Sequence, residues 1–352
     1  MRTGLYDIQK ELGGRFVDFA GWDMPVQFSG VLDEHATVRE RVGLFDVSHM
    51  GEVRITGPQA VAFTDYLVTQ NVAKLTPGQA VYTVMCLPTG GIVDDLIVYR
   101  EKESVFLIVN ASTTPKDLAH MREVAKGFDV EIHDLSADYA LIAVQGPASD
   151  ALLPEVVREV PGKRFTFVDT QTVDGAPVRV ARTGYTGERG VEIAVAPHHA
   201  DKLFRTLMDK GAPHGCKPCG LGARDSLRLE KKMPLYGNDI DETTTPLEAQ
   251  LNWVVKLDKN DFVGRAALLA QPAARKWVGF TMLDKVIPRQ HYEVRHAGAR
   301  IGEVTSGTMS PVRRVGIGCA YVPAALAAVD TEIEIVVRGE PHPARVCDTP
   351  FV

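Results

Sequence analysis

From about Asp258 onward the chain changes texture. Short apolar runs at 277–282, 300–305, 316–322 and 332–337 alternate with turn residues. Turn signals separate these β-prone runs, which suits a small barrel or sandwich. A C-terminal all-β domain over residues 258–352 is therefore the first constraint on the fold.

The residues before it read as mixed. Gly57-Pro leads into an amphipathic helix, with Val61, Tyr66 and Leu67 as core contacts. Residues 80–87 and 91–99 predict two strands split by a Pro88-Thr-Gly-Gly turn, and 105–109 a third strand that is apolar throughout. Cap residues from Asn110 and Pro115 open a helix reaching about Lys126. Strands are expected at 139–144, 178–183 and 191–195, and helices at 199–210 and 221–232. No fixed-period repeat or low-complexity tract interrupts the pattern. The predicted class is α+β followed by the β domain.

Composition narrows the function classes. Apolar residues make up 45% of the 352, enough to bury several cores, which excludes intrinsic disorder. The 39 basic and 45 acidic residues leave a net charge of −6, the wrong sign for a nucleic-acid binder. No stretch approaches the ~18 apolar residues of a membrane helix. The first ten residues lack the basic-then-apolar layout of a signal peptide. The expected compartment is the cytoplasm, or the mitochondrial matrix if the chain is eukaryotic and its transit peptide is absent. The five cysteines are too scattered for a disulfide framework. Cys216-Lys-Pro-Cys219 has redox spacing, but with no second CxxC and no thioredoxin-like context the expectation is of buried, idle thiols.

Generic catalytic motifs do not fit. Gly220-Leu-Gly222 has Asp225 where a dinucleotide fingerprint needs its third glycine, and Gly162-Lys163 lacks the rest of a P-loop. Neither HExxH nor GxSxG occurs. His198 and His199 are adjacent, so they do not share a helix face. No metal site is expected.

Four constellations remain. Asp94 and Asp95 sit inside the apolar run Gly90-Gly-Ile-Val-Asp-Asp-Leu-Ile-Val98. Strand alternation sends them to opposite faces, so only one can enter a given pocket. A carboxylate among Val93, Ile97 and Val98 must be hydrogen-bonded, paired or functional. Thr183-Gly-Tyr-Thr-Gly-Glu-Arg-Gly-Val-Glu-Ile193 reads as a glycine-rich hairpin entering a strand. There Glu192 shares a face with Ala194, opposite Val191, Ile193 and Val195. Such a glutamate either grips a planar amine-bearing ligand or faces solvent. On the helix after Gly220, Arg224, Leu227, Arg228 and Lys231 form one stripe, suited to an anionic tail or to a solvated basic face. His49, in the strand-like run Phe45-Asp-Val-Ser-His-Met50, is either a structural histidine or a base.

Together these strings resemble the aminomethyltransferase, or T-protein, family of the glycine cleavage system. The resemblance rests on Phe19-Ala-Gly-Trp22, Gly43-Leu-Phe-Asp-Val-Ser-His-Met50, Gly90 to Ile97, Gln145-Gly-Pro147, Thr183 to Glu188, Gly220 to Glu230, Leu235-Tyr-Gly-Asn-Asp-Ile-Asp241 and Val304 to Pro311, in order along nearly the whole chain.

The resemblance implies a three-domain cloverleaf around a central folate channel. Residues 1–53 with 146–257 would form a discontinuous folate-binding domain, 54–145 an inserted α+β domain, and 258–352 the barrel-like β domain. It implies transfer of a methylene unit from aminomethyl-dihydrolipoyl H-protein to tetrahydrofolate as co-substrate, with release of ammonia. No metal, flavin, nucleic acid or membrane is involved. By the same resemblance Asp95 is the key carboxylate, Glu192 contacts the pteridine and Arg224 is a second folate-binding position. Tyr82 lines the channel opposite Asp95, and Tyr185, Met50 and Asn110 are further folate-side residues. A folate-dependent demethylase and a non-enzymatic folate-binding protein are the alternatives. The Lys-Gly-Cys and Gly-Gln-Glu motifs of the binding protein are missing, and there is neither length nor fingerprint for a flavin domain. The family commonly continues past the final Pro-Phe-Val segment, where some members place a ligand-contacting tyrosine. That contact is expected to be absent or replaced here.

Overall fold

The structure, a computed structural model, describes residues 1–270 and 272–352. The chain divides into two compact units. One comprises Met1–Leu67, Asn71–Thr83 and Leu96–Asp225; the other comprises Val68–Gln70, Val84–Asp95 and Ser226–Val352. Among the described residues no helix is long and apolar enough to cross a membrane.

The first unit holds a six-stranded sheet in the order Phe167–Gln171, Pro177–Ala181, Gly190–Val195, Ala140–Gln145, Gly43–Asp46 and Lys217–Pro218. Its core face is built by alternation. Val191, Ile193 and Val195 join Val178, Val180, Ile142 and Val144 under the helix Pro197–Gly211, which contributes Ala200, Leu203, Phe204 and Leu207. Burying such a side chain contributes roughly 1.5–3 kcal/mol, so this periodicity fixes which face of the sheet is left for other work. In the same unit residues 97–100 pair with Val105–Val109, which pairs with Gly51–Thr56, and that strand pairs with Glu131–Asp134.

In the first 50 residues a turn-rich segment becomes a hairpin and a strand-like run ends early. Phe19-Ala-Gly-Trp22 closes a hairpin between Arg15–Phe19 and Trp22–Gln27, with Ala20 at φ 52° and Gly21 at φ 83°. Two left-handed residues suit a two-residue hairpin, yet alanine at the first position hides the usual Asn-Gly signal. The strand expected through Met50 stops at Asp46. There Asp46 takes the Thr3 hydroxyl (2.6 Å), the Gln9 amide and the Ser48 N–H (2.9 Å), turning residues 47–50 into a turn.

The second unit carries the predicted β domain as a closed barrel, in the order Arg275–Met282, Gly316–Pro323, Ala299–Met309, Glu293–His296, Glu332–Val337 and Glu340–Cys347. Val278, Phe280 and Met282 point into its core with Val294, Val304, Ala320, Val322, Ile333 and Ile335. The intervening Trp277, Ile317, Cys319 and Tyr321 pack on the outer face with Leu229 and Phe351. Both faces of these strands are covered, which is why the run 277–282 reads as continuous rather than alternating.

Candidate functional site

In the first unit the site is organised by a buried amide. Gln145 ends the strand Ala140–Gln145; its Nε2 donates to the Thr183 carbonyl (3.2 Å) and the Val191 carbonyl (3.1 Å), and its Oε1 accepts from Thr186 Oγ1 (2.8 Å). One side chain thereby pins both ends of the glycine-rich loop. Gly184 is obligatory beside it, since a Cβ there would lie 2.1 Å from Gln145 Oε1.

The pinned loop sets the surroundings of Glu192. In the sheet Glu192 lies between Ala181 and Ala143, so the small neighbours leave room over its carboxylate. Thr183 Oγ1 donates to Glu192 Oε2. With that proton committed, Tyr99 is the donor in its 3.3 Å contact with Thr183 Oγ1. Burial raises the Glu192 pKa, while the Thr183 hydrogen bond and the Arg224 charge pull it back. Arg224 stacks over the Tyr185 ring at 4.8 Å. Burial, followed by the Arg224 charge, pushes the His49 pKa down to about 3, so the imidazole is neutral at physiological pH. It stands edge-on to Phe19 at 5.6 Å, and among the described residues neither ring nitrogen has a hydrogen-bond partner.

The sheet ladder also brings Met50 and Asn110 together, because the pair Gly51–Val109 precedes them in register. Glu52 follows on the same strand. It is fully buried, and among the described residues both its carboxylate oxygens lack hydrogen-bond partners. Burial, with a smaller contribution from Asp134, holds its pKa well above the usual carboxylate range. Its cross-strand partner is Ile108, which is opposite Ile97, so Glu52 occupies the sheet face that carries Ile97 and Tyr99.

In the second unit the Gly-Gly turn is explained by close approach. Gly90 has φ 90°, and a Cβ on Gly91 would lie 1.9 Å from the Glu242 carbonyl oxygen. The Ile92 N–H donates to the Asp241 (3.1 Å) and Thr244 (3.0 Å) carbonyls, and Tyr236 OH donates to the Ile92 carbonyl (3.1 Å). The strand bearing the two acids is thus clamped at its first residue. Asp94 is fully buried and Asp95 only half-buried, as opposite faces require.

The seven residues that the resemblance assigns to the site, Asp95, Glu192, Arg224, Tyr82, Tyr185, Met50 and Asn110, are half-buried. The structure brings Glu192, Arg224 and Tyr185 into electrostatic or stacking reach and sets Met50 beside Asn110. It parts Arg228 from the proposed basic stripe. Arg228 is 1% exposed, its Nη1 2.5 Å from Asp239 Oδ2, so it is neither a solvated face nor open to an anionic tail. The sequence reading missed Tyr99, Gln145 and Glu52. Alternation from Asp95 through Ile97 would have found Tyr99; the Gln145 and Glu52 contacts span separations that periodicity does not reach. Cys216 and Cys219 are buried, and burial raises both thiol pKa values. Among the described residues no group of three or more His, Cys, Asp or Glu is placed to hold a metal ion.

Residues 5–259 match the family model for the GCVT N-terminal domain, and residues 275–352 that for the Glycine cleavage T-protein C-terminal barrel domain. The chain is 48% identical over 356 residues to the aminomethyltransferase of Rubrobacter xylanophilus, covering 99% of this chain and 94% of that one. It is 44% identical over 357 residues to the aminomethyltransferase of Bacillus subtilis, covering 99% and 98%. The crystal structure of glycine cleavage system aminomethyltransferase T from Bartonella henselae superposes with a TM-score of 0.93 at 35% identity, covering 100% of this chain and 98% of that one. The fold and both domain matches define a group-transfer enzyme. The chain belongs to the glycine cleavage T-protein family of aminomethyltransferases.

Proposed function

We propose that the chain moves the methylene unit of an aminomethyl group, carried on the dihydrolipoyl arm of H-protein, to tetrahydrofolate. The products are 5,10-methylenetetrahydrofolate, ammonia and the reduced dihydrolipoyl arm. The carbon–sulfur and carbon–nitrogen bonds of the aminomethyl group break, and two carbon–nitrogen bonds form to the folate amines. The two protons those amines lose end on ammonia and on the thiol, so no oxidant or metal is needed for balance. The nucleophile is a folate nitrogen, which leaves position, desolvation and proton handling to the protein.

The observation that carries this reading is Glu192, set between two alanines, bonded by Thr183 and within the field of Arg224. Such a carboxylate accepts from an amine-bearing planar ring, and the small neighbours give the ring a floor. Arg224 on Tyr185 supplies a fixed guanidinium for an anionic part of the same ligand. Asp95, on a strand clamped through Gly90 and Gly91, is the carboxylate that receives and returns a proton at the folate amines. Tyr82, Met50 and Asn110 complete the lining. We assign the three domains as 1–53 with 146–257, 54–145, and 258–352, and place the enzyme in the cytoplasm or the mitochondrial matrix.

The test is ammonia release from aminomethylated H-protein with tetrahydrofolate, each component omitted in turn. Asp95→Asn is expected to lower turnover at least about a hundredfold, the scale of a lost general acid–base group; near-normal release would sink the assignment. Glu192→Ala is expected to weaken tetrahydrofolate about tenfold by calorimetry, and unchanged affinity would remove Glu192 from the site. Recovery of 5-methyl rather than 5,10-methylene folate would point to a demethylase instead.

A further inference from the structure

Behind Glu192 stands a chain of buried hydroxyls. Tyr99 is 1% exposed, and its ring makes T-shaped contacts with Phe106 (6.0 Å between centroids) and Phe167 (5.4 Å). Held this way, its hydroxyl meets Thr183 Oγ1 at 3.3 Å. Thr183 is buried as well, and its carbonyl is tied to Gln145 Nε2 at 3.2 Å. Its own hydroxyl reaches Glu192 Oε2. Aromatic packing, the Gln145 pin and the sheet ladder thus fix the three members of the chain independently.

Only one order of donors satisfies all three. With Tyr99 donating to Thr183 and Thr183 to Glu192, both hydroxyls give their protons and the carboxylate only accepts. In the reverse order Glu192 must be protonated, and the Tyr99 O–H loses its place, since among the described residues it has no hydrogen bond besides the one to Thr183. Stranding a buried donor costs about 1–3 kcal/mol. Ionising Tyr99 instead is opposed first by burial and then by the Glu192 charge. The order that runs toward Glu192 therefore wins, and donors aimed at a carboxyl favour its charged form. Arg224 acts in the same direction. The residues opposite Glu192 on the neighbouring strands, Ala181 and Ala143, bring no charge.

We propose that Tyr99 and Thr183 are positioning residues for the folate ring: their donor chain occupies Oε2 and keeps Glu192 an acceptor-only carboxylate, leaving Oε1 for a ring edge that presents N–H donors. A ring edge presenting a carbonyl oxygen is turned away by the same carboxylate. The assignment rests on the folate reading of the Glu192 site.

The test is calorimetry of tetrahydrofolate on the full chain across a pH series, with the double variant Tyr99→Phe, Thr183→Val. Both changes keep the shape of the side chain and together strand no donor, so the variant is expected to fold, and matching unfolding midpoints check this. At neutral pH it is expected to bind about tenfold more weakly, because Glu192 without its donor holds a proton more tightly. Raising the pH restores the affinity, so the pH at which binding falls off moves upward; the ligand's own titration is common to both proteins. In the ammonia-release assay the loss is expected in the KM for tetrahydrofolate rather than in kcat. Thr183→Ser returns the hydroxyl and with it the affinity. Added to Glu192→Ala, the double change is expected to cost nothing further. Unchanged affinity in the double variant, a loss equal at every pH, or a loss repeated on top of Glu192→Ala overturns the proposal. If the double variant does not fold, Tyr99→Phe alone decides: binding about threefold weaker with the same upward displacement in pH upholds the proposal, and unchanged binding overturns it. If Glu192→Ala leaves tetrahydrofolate binding intact, the folate reading of Glu192 has failed and the proposal falls with it. A loss in Glu192→Ala without one in the double variant overturns the proposal alone.

Discussion

Asp239 in the second unit and Glu52 in the first are both fully buried carboxyls, and they could hardly be treated more differently. Around Asp239, Oδ2 takes Arg228 Nη1 (2.5 Å), Ser306 Oγ (2.9 Å) and the Leu235 N–H (3.0 Å), while Oδ1 takes Thr305 Oγ1 (2.6 Å). Trp277 Nε1 extends the network to Thr305 at 3.1 Å, and Tyr321 OH donates to the Asp239 carbonyl at 2.9 Å. Around Glu52 neither carboxylate oxygen has a hydrogen-bond partner among the described residues, and the same is true of both ring nitrogens of His49. A satisfied buried network specifies structure, whereas an unsatisfied group must stay uncharged to remain buried. The contrast makes Arg228 and Asp239 parts of the scaffold. It makes His49 and Glu52 groups whose charge state the fold has fixed.

The largest effect should come from breaking the satisfied network. Asp239→Leu strands a buried guanidinium and is expected to cost about 3–5 kcal/mol in urea unfolding. The double variant Arg228→Met, Asp239→Leu should recover much of that loss, because removing both charges removes the stranded one. A single-variant loss near zero would mean that Arg228 escapes to water and is no part of the scaffold.

His49 comes next. Its folded pKa of about 3 lies below the ordinary value of 6.5, so the unfolded chain binds the extra proton between those limits. Stability is then fully present above pH 6.5 and is lost as pH falls toward 3. At pH 5 the loss amounts to about 2 kcal/mol from this residue alone. His49→Gln should remove that part of the acid sensitivity. Parallel stability profiles for the two proteins between pH 6.5 and 4 would break the claim of a neutral imidazole.

How much of this was legible in the sequence depends on the range of the interaction. The alternation around Glu192 and the split of Asp94 from Asp95 follow from period-two patterning, and the barrel from short apolar runs between turn residues; both signals are local. Arg228 was misread because helical spacing shows which residues share a stripe but not what that stripe meets. Its partner, Asp239, lies beyond the helix end in an irregular stretch. Likewise Gln145 pins a loop 38 residues on, and no periodicity encodes that distance. Glu52 carries no signal of its own in the sequence: it lies opposite Ile108 and bonds through its backbone to Leu135 and Ser136, separations that periodicity does not link.

Glu52 carries the smallest effect and the sharpest sign. Its folded pKa is raised, so its contribution is fully present below the ordinary carboxylate value of 4.5 and is lost as pH rises through the folded value. That is opposite to His49, on a strand that begins two residues later. Glu52→Gln replaces a neutral acid by a neutral amide of the same shape. Since neither oxygen gives up a hydrogen bond, the change at pH 5 should be about 1 kcal/mol or less. The difference should open as pH rises above 4.5, where the unfolded chain ionises Glu52 while burial and Asp134 keep the folded carboxyl protonated, and the variant has nothing to ionise. Unfolding midpoints across a rising pH series would therefore diverge in favour of Glu52→Gln. If they instead stay parallel, or if the variant falls below the unaltered protein as pH rises, Glu52 is ionised with a partner in the folded state, and the contrast with Asp239 collapses.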